Sequence, residues 1–118
     1  MLSGKFDVQI REEDGYAVIQ TEGYLNGPRG EDLAETAKNL MQKGHTKFVI
    51  NLAETKLINS IGISILIEII ELLEERQGIL NFCGLTPTIE HTFKLVALAR
   101  HAGIFPDEDS AIAALNSS

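Results

Sequence analysis

Residues 57–76, LINSIGISILIEIIELLEER, join a short polar turn to a strongly apolar helical segment, and this junction constrains the fold more than any other stretch. Asn59 or Ser60 can cap the helix, because a side-chain oxygen there can accept a backbone N–H that the first turn leaves unpaired. The junction is therefore predicted to be a helix N-terminus. Such a terminus carries partial positive charge and favours an anion, including a phosphate on Ser60, although most capping serines serve only as caps.

A rotation of about 100° per residue divides this second helix into two faces. The apolar face is predicted to be core and contains Ile63, Leu66, Ile67, Ile70 and Leu73. The polar face contains Ser60, Ser64, Glu68, Glu71, Glu74 and Glu75. Ile61 falls at the margin of the polar face, flanked in angle by Ile65 and Leu72, so we expect it to be at least partly exposed. A single exposed apolar residue there is either harmless or a contact point for a partner.

Alternating strands and helices are predicted along the rest of the chain. Residues 6–10 and 16–20 are rich in strand formers around a turn and predict a hairpin. Short apolar stretches predict three further strands, at residues 47–52, 79–83 and 103–105. Capping and proline signals predict three helices besides the second one, over about 28–43, about 86–101 and from about 107 onward.

The resulting order is ββαβαβαβα, with residues 53–58 as a loop before the second helix. Strands joined through helices favour parallel pairing, whereas the opening hairpin is antiparallel, so the expected fold is a mixed α/β sheet. Helices are expected mainly on one face of this sheet. The third helix is expected to direct Ile89, Phe93, Val96, Ala97 and Leu98 toward the core.

Length and charge limit the functions that the chain can have. A chain of 118 residues fits one domain, 1–118, with a short polar tail at 116–118 that should fray. The net charge of -7 opposes binding to nucleic acid or anionic lipid. Cys83 is the single cysteine, which fits a buried small hydrophobe in a reducing compartment. No stretch has the length of a membrane span or a signal peptide, so the expected location is the cytoplasm, without membrane insertion.

The patterns of catalytic and cofactor sites are not found in the sequence. The spacing of His45, His91 and His101 fits no metal site, and surface positions are expected for them. The glycines between residues 23 and 30 form no phosphate-binding fingerprint. Because no nucleophile stands beside a base, we expect a protein that is not an enzyme and that uses neither a cofactor nor a metal.

Several short motifs, taken in order, resemble those of the STAS domain, the family of bacterial anti-sigma-factor antagonists. That family places a strand of the type Val-Ile-Asn-Leu before an Asp-Ser-Ser/Thr-Gly helix entry, and the corresponding segments here are residues 49–52 and 59–62. Further similarity lies in residues 23–26, 82–87 and 111–115, so the resemblance spans nearly the whole chain.

The resemblance implies a regulatory binding module. Such an antagonist sequesters a kinase-type anti-sigma factor, and the kinase reverses this by phosphorylating a Ser or Thr at the entry of the second helix. Here Asn26 and Asn59 replace two aspartates, and Ile61 replaces the usual acceptor, whereas Ser60 remains as a candidate phospho-acceptor. The implied partner-binding residues are Asn26, Gly27, Asn59, Ser60, Ile61, Gly62, Ser64, Ile65 and Glu68. Among them, Ile61, Ser64, Ile65 and Glu68 are expected on the exposed margin of the second helix.

Three alternatives remain open at this point. The chain could be a constitutive binder in which Ile61 makes an apolar contact in place of the switch. It could be a STAS-like accessory subunit that docks on a transport ATPase without a phospho-switch. The implied partner of an antagonist is a kinase-type anti-sigma factor or a similar regulatory ATPase. The chain could also bind a nucleotide or another ligand beside the Ser60 turn, on the strength of the helix terminus alone. A weak homodimer could form through the margin of the second helix or the edge of the sheet.

Overall fold

The computed structural model describes residues 5–27, 29–96 and 98–116. The secondary structure of these residues follows the predicted order ββαβαβαβα. The strands are β1 (Phe6–Glu13), β2 (Tyr16–Leu25), β3 (Lys47–Ile58), β4 (Ile79–Cys83) and β5 (Gly103–Phe105). The helices are α1 (Glu31–Gln42), α2 (Ser60–Glu75), α3 (Pro87–Leu95) and α4 (Glu108–Asn116), with a short 3₁₀ turn at Leu98–Arg100.

The five strands form one sheet in chain order, with β1 at one edge and β5 at the other. β1 pairs antiparallel with β2, and Gln9 lies opposite Gln20 in that hairpin. The β2–β3, β3–β4 and β4–β5 pairs are parallel. The predicted mixed sheet is therefore confirmed, with helical crossovers joining its parallel strands.

Each face of the sheet carries its own apolar core. The larger core joins the sheet to α1, α2 and α3 and includes Ile50, Leu66 and Phe93. The smaller core joins Val49 and Cys83 to α4 on the opposite face. Three helices therefore cover one face of the sheet and one helix covers the other, which agrees with the expectation that the helices lie mainly on one face. Cys83 is buried, and this burial raises the pKa of its thiol to about 12, so the thiol stays neutral at physiological pH.

The predicted loop at residues 53–58 is wrong, because β3 continues without a break to Ile58. β2 is also longer than predicted and runs to Leu25, where it pairs with the end of β3. A hydrogen bond between the buried hydroxyls of Thr21 and Thr55 joins the two strands in this extension. The paired extension carries both strands to the point where α2 begins.

The ends of three helices also differ from the predictions. α3 ends at Leu95 rather than near His101, and Val96, predicted to be core, is exposed. α1 begins at Glu31, while the predicted start at Pro28 and the predicted core residue Ala97 lie outside the described residues. Asn116, predicted to belong to the frayed tail, is the last residue of α4. In the described part of the chain, no helix combines the length and apolar character needed to cross a membrane.

Candidate partner-binding site

Asn59, rather than Ser60, is the residue that caps α2. Its backbone is extended, and its side-chain oxygen accepts a hydrogen bond of 2.9 Å from the amide nitrogen of Gly62. Its carbonyl oxygen accepts the next bond, from the amide of Ile63 at 3.0 Å. Ser60 therefore becomes the first residue of the helix, and its side chain is not needed for capping.

The end of β2 fixes the position of this helix entry. The amide of Asn59 donates to the carbonyl oxygen of Leu25 at 3.3 Å. Gly62 is buried against the same strand, and a Cβ atom at that position would lie 2.4 Å from the Leu25 oxygen. No real side chain tolerates such a distance to a backbone atom, so the glycine permits the close approach of α2 to β2.

The loop between β2 and α1 lies beside the helix entry. The Asn26 side chain donates to the carbonyl of Tyr24 at 3.4 Å, and the Asn26 carbonyl accepts from the amide of Gly30. A Cβ atom on Gly27 would lie 3.0 Å from the Cγ2 atom of Ile61. The fold therefore brings the Asn26–Gly27 loop against the first turn of α2, although some 30 residues separate the two along the chain.

Ile61 lies against Gly27 on one side and leaves 51% of its surface exposed, which confirms the expected exposure. Ser60 and Ser64 are exposed as well, and the Ser64 hydroxyl donates to the carbonyl of Ser60 at 3.1 Å. We call the surface formed by these groups the helix-entry surface; it consists of Asn26, Gly27, Asn59, Ser60, Ile61 and Ser64. It combines small polar groups with one large apolar side chain.

Leu57 is an exposed apolar residue beside the cap that the sequence reasoning missed. It lies two positions before Asn59, pairs with Tyr24 in the sheet and is 60% exposed. The sequence contained no simple signal for it, because the register of β2 against β3 shifts before Glu54 and again after Thr55. These irregularities interrupt the alternation of side chains, so Thr55 is buried while Leu57 is exposed.

The prediction that Ile65 lies on an exposed margin is wrong. Ile65 is 3% exposed, because the start of α1 packs over it. Its Cδ1 atom lies 2.9 Å from the place where a Cβ atom on Gly30 would be. Gly62 is buried too. These two residues of the predicted contact set therefore pack under α2 and position it, and they are not available to a partner.

Glu68 lies two turns beyond the entry, about 12 Å along the helix axis from Ser60. Its carboxylate forms an ion pair with the Lys38 ammonium on α1, with 3.0 Å between the nitrogen and the oxygen. This hydrogen bond raises the pKa of Lys38. Glu68 therefore joins α2 to α1, at a distance from the helix-entry surface.

His45 and His101 form contacts away from the helix-entry surface. His45 contacts Glu12 at 2.9 Å, and His101 contacts Glu74 at the same distance. Across residues 5–27, 29–96 and 98–116, no group of three or more His, Cys, Asp or Glu side chains is placed to hold a metal ion. The chemistry that the helix-entry surface offers is an apolar contact, hydrogen bonds and an exposed hydroxyl.

Comparison with known proteins agrees with this architecture. The model of the STAS domain family matches residues 7–111. The chain is 27% identical over 101 residues to a Bordetella bronchiseptica protein named "Putative anti-sigma factor antagonist BtrV", and the match covers 86% of this chain and 84% of that protein.

Solved structures give the same result for the fold. An anti-sigma factor antagonist from Mycobacterium paratuberculosis superposes with a TM-score of 0.86 at 19% identity, covering 98% of this chain and 97% of the other. The Bacillus cell fate determinant SpoIIAA in its phosphorylated form gives a TM-score of 0.73 at 19% identity, covering 91% and 97%. Because the family match spans most of the sequence and the fold agrees, the chain belongs to the STAS domain family.

Proposed function

We propose that the protein is a non-catalytic, cytoplasmic regulator that binds a kinase-type anti-sigma factor through its helix-entry surface. The observation that carries this proposal is the half-exposed Ile61 beside the exposed hydroxyl of Ser60, on a helix entry whose cap is supplied by another residue. Similarity to proteins named as anti-sigma factor antagonists supports the same class of partner.

Binding would bury Ile61 and the small polar groups around it. An apolar side chain that is already held on one side by Gly27 loses little conformational freedom when a partner covers the other side. Asn26 and Asn59 remain uncharged where the resemblance implies aspartates, so the surface presents hydrogen-bonding groups without carboxylates in the first turn. A partner that covers this surface desolvates no carboxylate there.

Phosphorylation of Ser60 is the proposed switch. Ser60 is exposed at the first position of α2, and its hydroxyl is free of the capping role that Asn59 performs. A phosphate would add about two negative charges at the positive end of the helix, where it is tolerated by the protein itself. The same group would place a bulky, hydrated anion beside Ile61 and so oppose an apolar contact. SpoIIAA, a structural relative, has been solved in a phosphorylated form.

Incubation with each kinase-type anti-sigma factor of the source organism and ATP, followed by mapping of phosphopeptides, tests the switch. We expect one modified residue, Ser60, and no modification of Ser60→Ala. Thr88→Ala is the matched control, because Thr88 is exposed in the first turn of α3, outside the helix-entry surface, and its loss should leave the modification unchanged. Equal phosphorylation of Ser60→Ala would contradict the assignment.

The same mixtures separate a switch from a constitutive binder. A kinase that binds the protein tightly and never modifies Ser60 would favour constitutive binding through Ile61. Capture of a transport ATPase in place of an anti-sigma kinase would instead favour the role of an accessory subunit.

A further inference from the structure

β1 is an edge strand whose outer side is determined by its pairing with β2. The amide of Tyr24 donates to the carbonyl of Lys5 at 3.2 Å, so Lys5 directs its backbone groups toward β2. Along an antiparallel strand the backbone groups of successive residues point to alternate sides. The odd-numbered residues of β1 therefore bond to β2, while the N–H and C=O groups of Phe6, Val8, Ile10 and Glu12 point away from the sheet.

A second copy of the chain could use these outward groups in an antiparallel pair across a two-fold axis. Even-numbered residues must then face even-numbered residues, because only the even-numbered residues have backbone groups that point outward. A shift of the register by one residue would also place the apolar side chains of one copy on the opposite face of the sheet from those of the other. This condition leaves three central registers, in which Val8, Gln9 or Ile10 lies opposite its own counterpart.

The charges of β1 favour one of these registers. With Gln9 opposite Gln9, Asp7 faces Arg11 and Lys5 faces Glu13, and the two-fold axis forms each opposite-charge pair twice. Sliding the second copy by two residues in one direction places Lys5 opposite Arg11, and in the other direction places Asp7 opposite Glu13. Both alternatives set like charges directly across the strands, which is destabilising.

The apolar side chains of β1 agree with the same register. Ile10 is 50% exposed although it lies on the face of the sheet that carries the larger core. In the register centred on Gln9, Ile10 lies opposite Val8 of the second copy, again twice. Pairing would therefore cover the exposed part of Ile10 with another apolar side chain.

We propose that two copies of this chain associate through antiparallel pairing of their β1 strands, with Gln9 opposite Gln9. The result is one continuous sheet across the two copies. The partner is defined by self-complementarity: the edge matches its own charges and apolar positions after a two-fold rotation.

Two arginines near this edge make contacts that are compatible with the pairing. Arg29 donates to the carbonyl of Phe6 at 3.3 Å. Phe6 lies at one end of the proposed pairing, so the hydrogen bonds of Val8 and Ile10 to the second copy can form while this contact is kept. Arg11 contacts Glu13 at 2.8 Å and Glu108 at 3.1 Å. A guanidinium has five N–H donors, so Arg11 can add a bond to Asp7 of the second copy.

Disulfide formation tests the register. Facing residues in a pair without direct backbone hydrogen bonds have Cα atoms about 4.5 Å apart, which suits a disulfide. Gln9→Cys should therefore form a covalent dimer under mild oxidation at least about ten times faster than Val8→Cys or Ile10→Cys, whose thiols lie two residues out of register. The native Cys83 is buried with its pKa raised to about 12 and should not compete. Equal rates for the three variants would overturn the register.

Exchange of charges tests the association without a covalent bond. Asp7→Arg alone and Arg11→Asp alone each bring like charges together, and sedimentation over a concentration series should show dimers weakened by about tenfold or more. An equimolar mixture of the two variants restores both opposite-charge pairs and should restore the dimer. Far-UV circular dichroism verifies that each variant is folded. The proposal fails if the native chain stays monomeric at every concentration, or if the mixture associates no better than the separate variants.

Discussion

The first and second turns of α2 contain the same residue type on the same side of the helix, with opposite environments. Ile61 is 51% exposed and Ile65, one turn later, is 3% exposed. Ile61 lies against the loop at Gly27, whereas Ile65 packs near Gly30, where α1 is about to begin. The angle around a helix therefore gives the direction of a side chain, and the neighbouring element at that height decides whether the side chain is covered.

Truncation of Ile65 should have the largest effect on stability among the variants that distinguish the first turn of α2 from the second. Ile65→Ala removes buried carbon from the contact between α2 and α1 and should lower the free energy of unfolding by about 3 kcal/mol. Urea denaturation followed by circular dichroism measures the change. A loss below about 1 kcal/mol would contradict the claim that α1 packs tightly over Ile65.

A smaller effect should follow from removing the cap between β3 and α2. Asn59→Ala loses the oxygen that accepts from the Gly62 amide and should cost about 1 kcal/mol of stability in the same assay. Asn59→Asp is the matched control, since a carboxylate keeps the acceptor and adds a favourable charge at the helix N-terminus. If the alanine variant were as stable as the native chain, Asn59 would not be the residue that holds the helix entry.

The contrast between the two turns also shows which features of the structure can be predicted from the sequence. The strand and helix order, the mixed sheet and the exposure of Ile61 follow from local patterns, because alternation, capping residues and helical periodicity are properties of short segments. The burial of Ile65 depends on α1, which comes from a distant part of the chain. The sequence of α2 alone therefore does not predict this burial. The angular reasoning therefore placed Ile65 with Ile61 and was wrong.

The extension of β3 was missed for a related reason. Ala53, Glu54 and Lys56 have little intrinsic preference for a strand, so the local pattern indicated a loop. Pairing with the extended β2 supplies the backbone bonds, and the buried hydroxyl contact of Thr21 with Thr55 adds to it. The extension of β3 therefore depends on pairing with residues that are far away in sequence. Because the extension was not predicted, the exposed Leu57 near its end was not predicted either.

The smallest effect on stability is expected at Ile61. Ile61→Asp replaces a half-exposed side chain at the positive end of a helix and should change the free energy of unfolding by less than about 0.5 kcal/mol. Leu95→Asp is the matched control, because Leu95 is 72% exposed at the end of α3, outside the helix-entry surface. Together the two variants separate an apolar contact at the helix entry from a general effect of added charge.

Calorimetric titration of the native chain and these two variants with the anti-sigma kinase that binds it is the most direct test of the central claim. The account predicts that Ile61→Asp weakens the affinity by about tenfold or more, which corresponds to about 1.4 kcal/mol, while Leu95→Asp binds like the native chain. Native affinity for Ile61→Asp, with both variants fully folded, would contradict the claim that the partner contacts the helix-entry surface.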